Sequence, residues 1–394
     1  MKKTNHIVHL PRAYPSQIAP LSSIFFKEQI EAISQQNNTI KLGVLAIIQR
    51  PILKQLLLRN SQLLFSTNKN IERNITTWVK FLFTIPLPRK IKRQYINFSL
   101  LVLFKKYIST HGKPDLIHLQ TYEMGAVALK ILKKYGIPYI VTEHSSNLYN
   151  DKTRLSHDFL KKIYLKSSFN IAVSPFFSDY LTKKFGIPFN TIPNTVDTDK
   201  FTLKPKKKSS KINLLHVANC VEIKQQKLLI QGYSEALKHN QLLNLTIVGD
   251  GPQLESLKAL VIELNIDSYV NFMGRLSNED VKIQMHLADI FILTSKKETF
   301  GVVLIEALAV GLPCITTKSG GPEGIITHEE LGQICDHNTE DIAKAILSVS
   351  SKEYDSKKIR EHVVSTYSSK IVAGQINKVY EKILIKLTSV FQIN

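Results

Sequence analysis

Short apolar runs, three to six residues long, recur along the whole chain, and a helix-like stretch follows each one. In the first half they are Ile7–Leu10, Leu42–Ile47, Leu116–Leu119, Tyr139–Thr142 and Asn170–Val173. In the second half they are Leu214–Val217, Leu245–Val248, Val270–Met273, Ile290–Leu293 and Cys314–Thr316. Runs too short for helices and apolar on both faces read as buried parallel strands, with the intervening helices covering both sides of a sheet. At 394 residues the chain exceeds what one core supports, so two such α/β domains are expected. The first would span 1–190 and the second 212–370. Between them, 191–211 holds Pro193, Pro205 and the run Lys204-Pro-Lys-Lys-Lys-Ser-Ser-Lys211, which suits a solvated linker. Apolar residues return at helical spacing near Ile371–Phe391, so the segment 371–394 is expected to form a helix that packs back on the first domain.

The three cysteines, Cys220, Cys314 and Cys335, have neither the spacing of a zinc site nor a disulfide pattern, which points to a reducing cytosol and to no metal. The opening MKKTNHIVHLPRAYP starts basic, but His6, His9 and Pro11 interrupt its apolar stretch, so it reads as a first buried strand and not a secretory signal. No run approaches the roughly 18 to 20 apolar residues of a membrane-spanning helix. The net charge of +20 is very unevenly placed: residues 1–190 carry +19 and residues 191–394 carry +1. The first half is therefore expected to meet something anionic, such as membrane lipid, a lipid diphosphate or nucleic acid. Its most basic stretch, Arg50–Lys106, has twelve Lys/Arg against the single acid Glu72, interleaved with Leu56, Leu57, Leu58, Trp78, Phe81, Phe83, Ile85, Leu101 and Phe104. Two readings stay open for it: a surface lying on an anionic membrane, or amphipathic helices packed on the sheet with snorkelling lysines.

The densest chemistry lies in Ser295-Lys-Lys-Glu298-Thr-Phe-Gly301-Val-Val-Leu-Ile-Glu306-Ala-Leu-Ala-Val-Gly311-Leu-Pro313. Val302 to Val310 reads as a buried helix between Gly301 and the stop Gly311/Pro313, and Glu306 is its one polar side chain. A carboxylate among Val, Leu, Ile and Ala needs strong donors, since desolvating it alone costs several kcal/mol. Either an internal Arg or Lys supplies them, or a ligand does. A ribose offers two hydroxyl donors at the right spacing, and the helix start adds free N–H groups. Glu298 would then face the next part of the same ligand, or else lie on the surface.

These two glutamates, in the pattern S-x-x-E-T-F-G-x-x-x-x-E-A-x-A-x-G-x-P, resemble the signature of glycosyltransferase family four, retaining enzymes of the GT-B fold. The likeness continues in Leu245-Thr-Ile-Val-Gly-Asp-Gly-Pro252, Val270-Asn-Phe-Met-Gly-Arg275, Ala288-Asp289, Gly320-Gly-Pro-Glu-Gly-Ile-Ile326 and Ile192-Pro-Asn-Thr-Val-Asp197 with Phe201, and covers roughly residues 110–330. It implies two Rossmann-like, doubly wound parallel-sheet domains facing a central cleft, the donor on the second. It also implies that Glu306 binds the ribose hydroxyls, that Glu298 binds the transferred sugar, and that Thr299, Phe300 and Gly301 line that sugar. By the same resemblance Lys224 neutralises the donor diphosphate, His144 reaches the donor across the cleft, and Gly249, Gly251 and Arg275 lie near the base and ribose. His118 matches a recurrent histidine that reads as structural. The chain departs from the pattern at Asn219, where many members have Arg, and at Gln225, where many have Gly. Asn219 can still donate one neutral hydrogen bond, and Lys227 is a candidate second cation. The early loop Pro15–Ser23 holds Ser22 and Ser23 where the family often has glycines.

The resemblance implies transfer of a hexosyl or N-acetylhexosaminyl group from a nucleoside-diphosphate sugar, UDP being the first candidate, to an acceptor hydroxyl with retention. No metal or other cofactor is implied. The basic first half suggests a lipid-linked sugar or polysaccharide precursor as acceptor, with the protein cytoplasmic and peripheral on the cytoplasmic membrane face. A noncatalytic GT-B partner subunit and a nucleotide-sugar epimerase are the alternatives. A nicotinamide enzyme is set aside because Gly249-Asp-Gly-Pro252 lacks the third glycine of the dinucleotide fingerprint and does not follow the first strand of its domain. No nucleic-acid motif accompanies the charge.

Overall fold

The computed structural model describes residues 4–15, 24–37, 39–51, 67–72, 74–84, 86, 88–153, 155–205 and 210–391. Residues 16–23 of the early loop, Leu56–Leu58, Ile85 and most of the linker's basic run therefore lie outside the described residues.

The first sheet has eight strands: β1 (Asn5–Leu10), β2 (Ile40–Pro51), β3 (Thr67–Glu72), β4 (Ile75–Thr84), β5 (Leu116–Leu119), β6 (Tyr139–Glu143), β7 (Phe169–Ala172) and β8 (Asn190–Thr191). Their order is β3-β4-β2-β1-β5-β6-β7-β8, parallel except for the antiparallel pair β3/β4 at one edge. The second sheet has six parallel strands: β9 (Ile212–Val217), β10 (Leu243–Val248), β11 (Val270–Gly274), β12 (Ile290–Leu293), β13 (Cys314–Thr317) and β14 (Gly332–Cys335). They lie in the order β11-β10-β9-β12-β13-β14. Each sheet starts at a central strand, winds one way, then switches to the other side, so the switch points lie between β1 and β5 and between β9 and β12. Open α/β sheets bind ligands in the crevice outside the strand ends at such points.

The described part of the basic stretch after residue 50 only partly follows the readings made for it. Its middle, Ile75–Thr84, is a ten-residue strand paired with β2. Trp78 and Phe81 on that strand are each 2% exposed, with Trp78 edge-on against Tyr107 at 5.4 Å. The only Trp of the chain is therefore core, not a membrane contact. The helix Arg89–His111 that follows does pack on the sheet through Leu100, Leu103, Phe104 and Tyr107, and it leaves Ile91, Phe98 and Val102 exposed.

One helix, Ser369–Phe391, belongs in sequence to the second half but packs against the first. Its Val372, Ala373, Ile376, Val379, Tyr380 and Ile383 join a buried cluster with Ile7, Ile30, Ile33, Leu42, Val44 and Ile140. The chain crosses between the halves twice, side by side: Val196 bridges Ser368, and Thr195 Oγ1 donates to Ser369 Oγ at 3.1 Å. Arg360 clamps this crossing by donating to the carbonyls of Thr198 and Ala309, each at 2.6 Å, and to that of Phe201.

The helix is also held by a polar contact. Tyr380, fully buried, has its hydroxyl 2.6 Å from His118 Nδ1, and His118 Nε2 lies 2.7 Å from Thr142 Oγ1. Tyr380→Phe keeps the ring's packing but orphans a buried nitrogen, so it is expected to lower unfolding stability by about 1–3 kcal/mol. Urea denaturation of the two proteins checks this, and an unchanged midpoint would refute it.

Candidate functional site

At the switch point of the second sheet, the loops after β9 and β12 are tied together by main-chain contacts. Thr294 Oγ1 donates to the carbonyl of Lys224 at 3.1 Å, and the Lys296 amide donates to that of Ile223 at 2.8 Å. This brings Lys224 and Glu298, far apart in sequence, into a direct ion pair of 2.6 Å, with side chains 24% and 18% exposed. Glu298 is fixed by its backbone as well: its amide donates to Ser319 and its carbonyl accepts from Gly321, both at 2.9 Å. It is neither a free surface residue nor, as Lys224 is not, a solvated loop side chain.

Gly301, with φ +103, opens the helix Val302–Ala309, in which Leu304, Ile305, Ala307 and Leu308 are buried. Glu306 is half-buried beside them. Among the described residues no hydrogen bond or ion pair reaches its carboxylate, so the internal Arg or Lys considered as a partner is not found. Burial, with a smaller contribution from Glu28, raises its pKa to about 8. Glu28 itself is engaged by Lys200 at 3.0 Å. The side chain thus sits where desolvation has a cost that no described residue offsets.

The turns around this helix admit close approach. Gly249 has φ +147, and a Cβ there would lie 1.8 Å from the carbonyl oxygen of Ala218, so no other residue fits beside the β9 loop. A Cβ at Gly251 would lie 2.4 Å from the carbonyl oxygen of Cys220, and Asn219 is exposed with its carbonyl accepting from Gln226 Nε2 at 2.9 Å. Arg275 is exposed beyond β11. Gln225 adopts φ +52, the left-handed region, at a cost of about 1–2 kcal/mol for a side-chain-bearing residue. The glycine common in the resembling family needs no other explanation. Here His337 Nδ1, 2.8 Å from Gln225 Oε1, steadies the turn.

Across the cleft, Thr299 joins the halves: its hydroxyl donates to the carbonyl of His144 at 3.2 Å, and its carbonyl accepts from Ser174 Oγ at 2.7 Å. Phe300 is buried and packs on Tyr367. His144 follows β6, its ring against Phe25 and Phe26. Burial drives its pKa down to about 3, so the imidazole is neutral.

A buried chain of polar groups sets its tautomer. His144 Nε2 lies 3.1 Å from Gln120 Oε1, Gln120 Nε2 lies 3.4 Å from His9 Nδ1, and His9 Nε2 lies 3.4 Å from the Tyr380 hydroxyl. Gln120 Nε2 also donates to Gln29 Oε1 at 3.3 Å, which orients the amide. Because an amide oxygen only accepts, the proton of His144 resides on Nε2 and its Nδ1 keeps the lone pair. That Nδ1 is buried with no hydrogen bond. Gln120 was not singled out from sequence. Its only signal is its place one residue past β5, at the switch point.

Of the sequence candidates, Lys224 meets Glu298 and Thr299 meets His144, and Glu306 is on the helix that follows Gly301. Among the described residues no group of His, Cys, Asp or Glu is arranged to hold a metal ion, and no helix is long and apolar enough to cross a membrane.

Two family models match the chain, Glycosyltransferase Family 4 over residues 66–200 and Glycosyl transferases group 1 over residues 197–365. N-acetyl-alpha-D-glucosaminyl L-malate synthase of Bacillus anthracis is 32% identical over 176 residues, 43% of this chain and 45% of that protein. Alpha-monoglucosyldiacylglycerol synthase of Acholeplasma laidlawii is 27% identical over 263 residues, 58% and 65%. The chain thus spans less than two thirds of the length of these curated relatives. Among solved structures, sucrose-phosphate synthase from Thermosynechococcus elongatus superposes with TM-score 0.77 at 18% identity, over 97% of this chain and 100% of that one. Anabaena HepE in complex with UDP and glucose gives 0.67 at 17%, over 95% and 99%. The two family models abut at the crossing and run together from residue 66 to residue 365, and the chain, with its GT-B fold, belongs to the group 1 glycosyltransferases.

Proposed function

We propose that this protein transfers a hexosyl or N-acetylhexosaminyl group from a UDP-sugar to an acceptor hydroxyl, with retention at the anomeric carbon. The observation that carries the reading is the half-buried carboxylate of Glu306, unpaired among the described residues, on the helix that follows Glu298 and its partner Lys224. A ribose diol would supply the two donors that Glu306 lacks. A diphosphate oxygen and a sugar hydroxyl are the partners that could replace the ion pair, one for each member. Relatives that act with N-acetylglucosaminyl and glucosyl groups, and a structural neighbour bound to UDP, support the donor class.

In this reading the bond between the anomeric carbon and the diphosphate oxygen breaks, with both electrons leaving on oxygen. Lys224 and the amides at the start of the helix Val302–Ala309 stabilise that growing charge. The acceptor oxygen bonds to the same face of the sugar, and its proton passes to the departing diphosphate. No carboxylate is required as a covalent nucleophile, in contrast to the paired acids of retaining glycosidases. His144, neutral and with a free Nδ1, accepts a hydrogen bond from a sugar hydroxyl and so orients the ring. No step is routed through a metal. The acceptor is a glycan or lipid-linked sugar reached from the first domain, and the exposed Ile91, Phe98 and Val102 on the basic helix Arg89–His111 favour work at the cytoplasmic face of a membrane.

A ligand that binds only the folded protein raises its melting temperature. Thermal scans with UDP, GDP and ADP are expected to show a shift with UDP that disappears in Glu306→Ala. No shift with any nucleotide would overturn the reading and favour a noncatalytic subunit. The pH dependence is a second check. Free Glu306 is protonated below about pH 8, while a diol donating to it favours the ionised form, so binding releases a proton and UDP affinity rises with pH up to about 8. Titrations at pH 6.5 and 8.5 should show a rise in the wild type that is absent from Glu306→Gln. Equal slopes in the two proteins would refute it.

A further inference from the structure

A second cavity, of about 1070 Å³, opens at the switch point of the first sheet. One wall is the loop after β1, with Arg12. The opposite wall follows β5, with Tyr122 and Glu123, and a third is the first turns of the helix Arg89–His111. The floor continues into Asn147 and Lys152, on the segment that begins with His144. The cavity and the donor cleft therefore share one stretch of chain.

Its charge is lopsided. Arg12, Arg89, Lys90, Lys92, Arg93 and Lys152 line it, against the single acid Glu123. Arg12 is paired with Glu123 at 2.8 Å. No ion pair is formed by Arg89, Lys90, Lys92, Arg93 or Lys152 among the described residues. Nor can the rest of the chain supply one from a side chain, because none of the residues outside the described set is Asp or Glu. Five cations without an ion-pair partner around one open cleft repel one another, and the helix adds its own free amides, since Pro88 makes no side-chain cap. A bound anion of two or more charges removes that repulsion. Three of the six cations are guanidiniums, whose fork matches the oxygens of a phosphate.

The remaining lining mixes apolar Ile47, Ile96, Met124 and Leu155 with the amides of Gln49, Asn97 and Asn147. The exposed Ile91, Phe98 and Val102 lie on the opposite, solvent-facing side of the same helix. The volume far exceeds that of an inorganic ion and fits a substrate-sized molecule.

We infer that this cavity binds the phosphate or diphosphate group of the acceptor, placing the acceptor's sugar hydroxyl toward the cleft beside His144. The inference rests on the transferase reading for the word acceptor, but the anion site stands on its own geometry.

The test is calorimetric titration with inorganic pyrophosphate in the Lys224→Ala background, which silences the donor diphosphate site. Binding is expected there, and adding Lys92→Ala and Arg93→Ala should weaken it at least tenfold while leaving UDP affinity of the otherwise wild-type protein within twofold. These side chains head an exposed helical turn, and an unchanged melting temperature confirms the fold. No binding of millimolar pyrophosphate in Lys224→Ala, or equal binding with and without the two substitutions, overturns the inference. Loss of UDP binding in all proteins would instead overturn the donor reading and leave this site untouched. Geranyl diphosphate distinguishes the source: affinity tenfold or more above that of pyrophosphate identifies a lipid diphosphate, and equal affinity identifies a soluble phosphorylated acceptor.

Discussion

The hydroxyl of Tyr380 sits where three parts of the molecule meet. It is carried by a helix that begins at the crossing between the domains, it touches two central strands of the first sheet through His9 and His118, and through Gln120 it reaches His144 at the end of β6. All of these groups are buried or nearly so, and such polar groups are tolerated only when each donor finds an acceptor. The chain from His144 to Thr142 satisfies that condition in one direction. The packing of one helix and the protonation pattern of the cleft are therefore parts of the same constraint.

Two carboxylates in the molecule have pKa values raised to about 8, and the contrast between them separates structure from chemistry. Glu143 ends β6 and receives a hydrogen bond from Tyr164 at 2.9 Å, deep in the first domain. Its other oxygen, Oε2, is buried with no hydrogen bond, so its elevation reflects burial with only one oxygen bonded. Glu306 has the same elevation without any such bond. Burial is shared by both; Tyr164 holds Glu143 in the core of the first half, whereas no described side chain bonds Glu306.

Much of this was legible from the chain itself. Strands that are apolar on both faces announced themselves, as did the helix between Gly301 and Gly311, because periodicity and glycine placement are local. β4 did not, since Thr76, Thr77 and Lys80 break its apolar run and the surrounding lysines gave the whole stretch an amphipathic cast. β14, only Gly332–Cys335, is too short and too polar to stand out. Each member of the Lys224–Glu298 pair was visible alone, but their contact depends on the side-by-side placement of β9 and β12. Gln120 was invisible for a similar reason: its meaning comes from His9, Gln29 and His144, which only the folded sheet assembles.

The inserted helix Ser369–Phe391 gives the fold a temporal property. Residues 1–190 leave an apolar face of β1, β2 and β6 uncovered until a segment about 180 residues further on has been made. At ribosomal rates of roughly 5–20 residues per second, the first domain emerges about 10 to 40 s before the piece that completes its core. During that interval the second domain, whose strands and helices are contiguous, can fold by itself. Its assembly then delivers the closing helix to the waiting sheet, so that maturation of the earlier-synthesised half is timed by the later one.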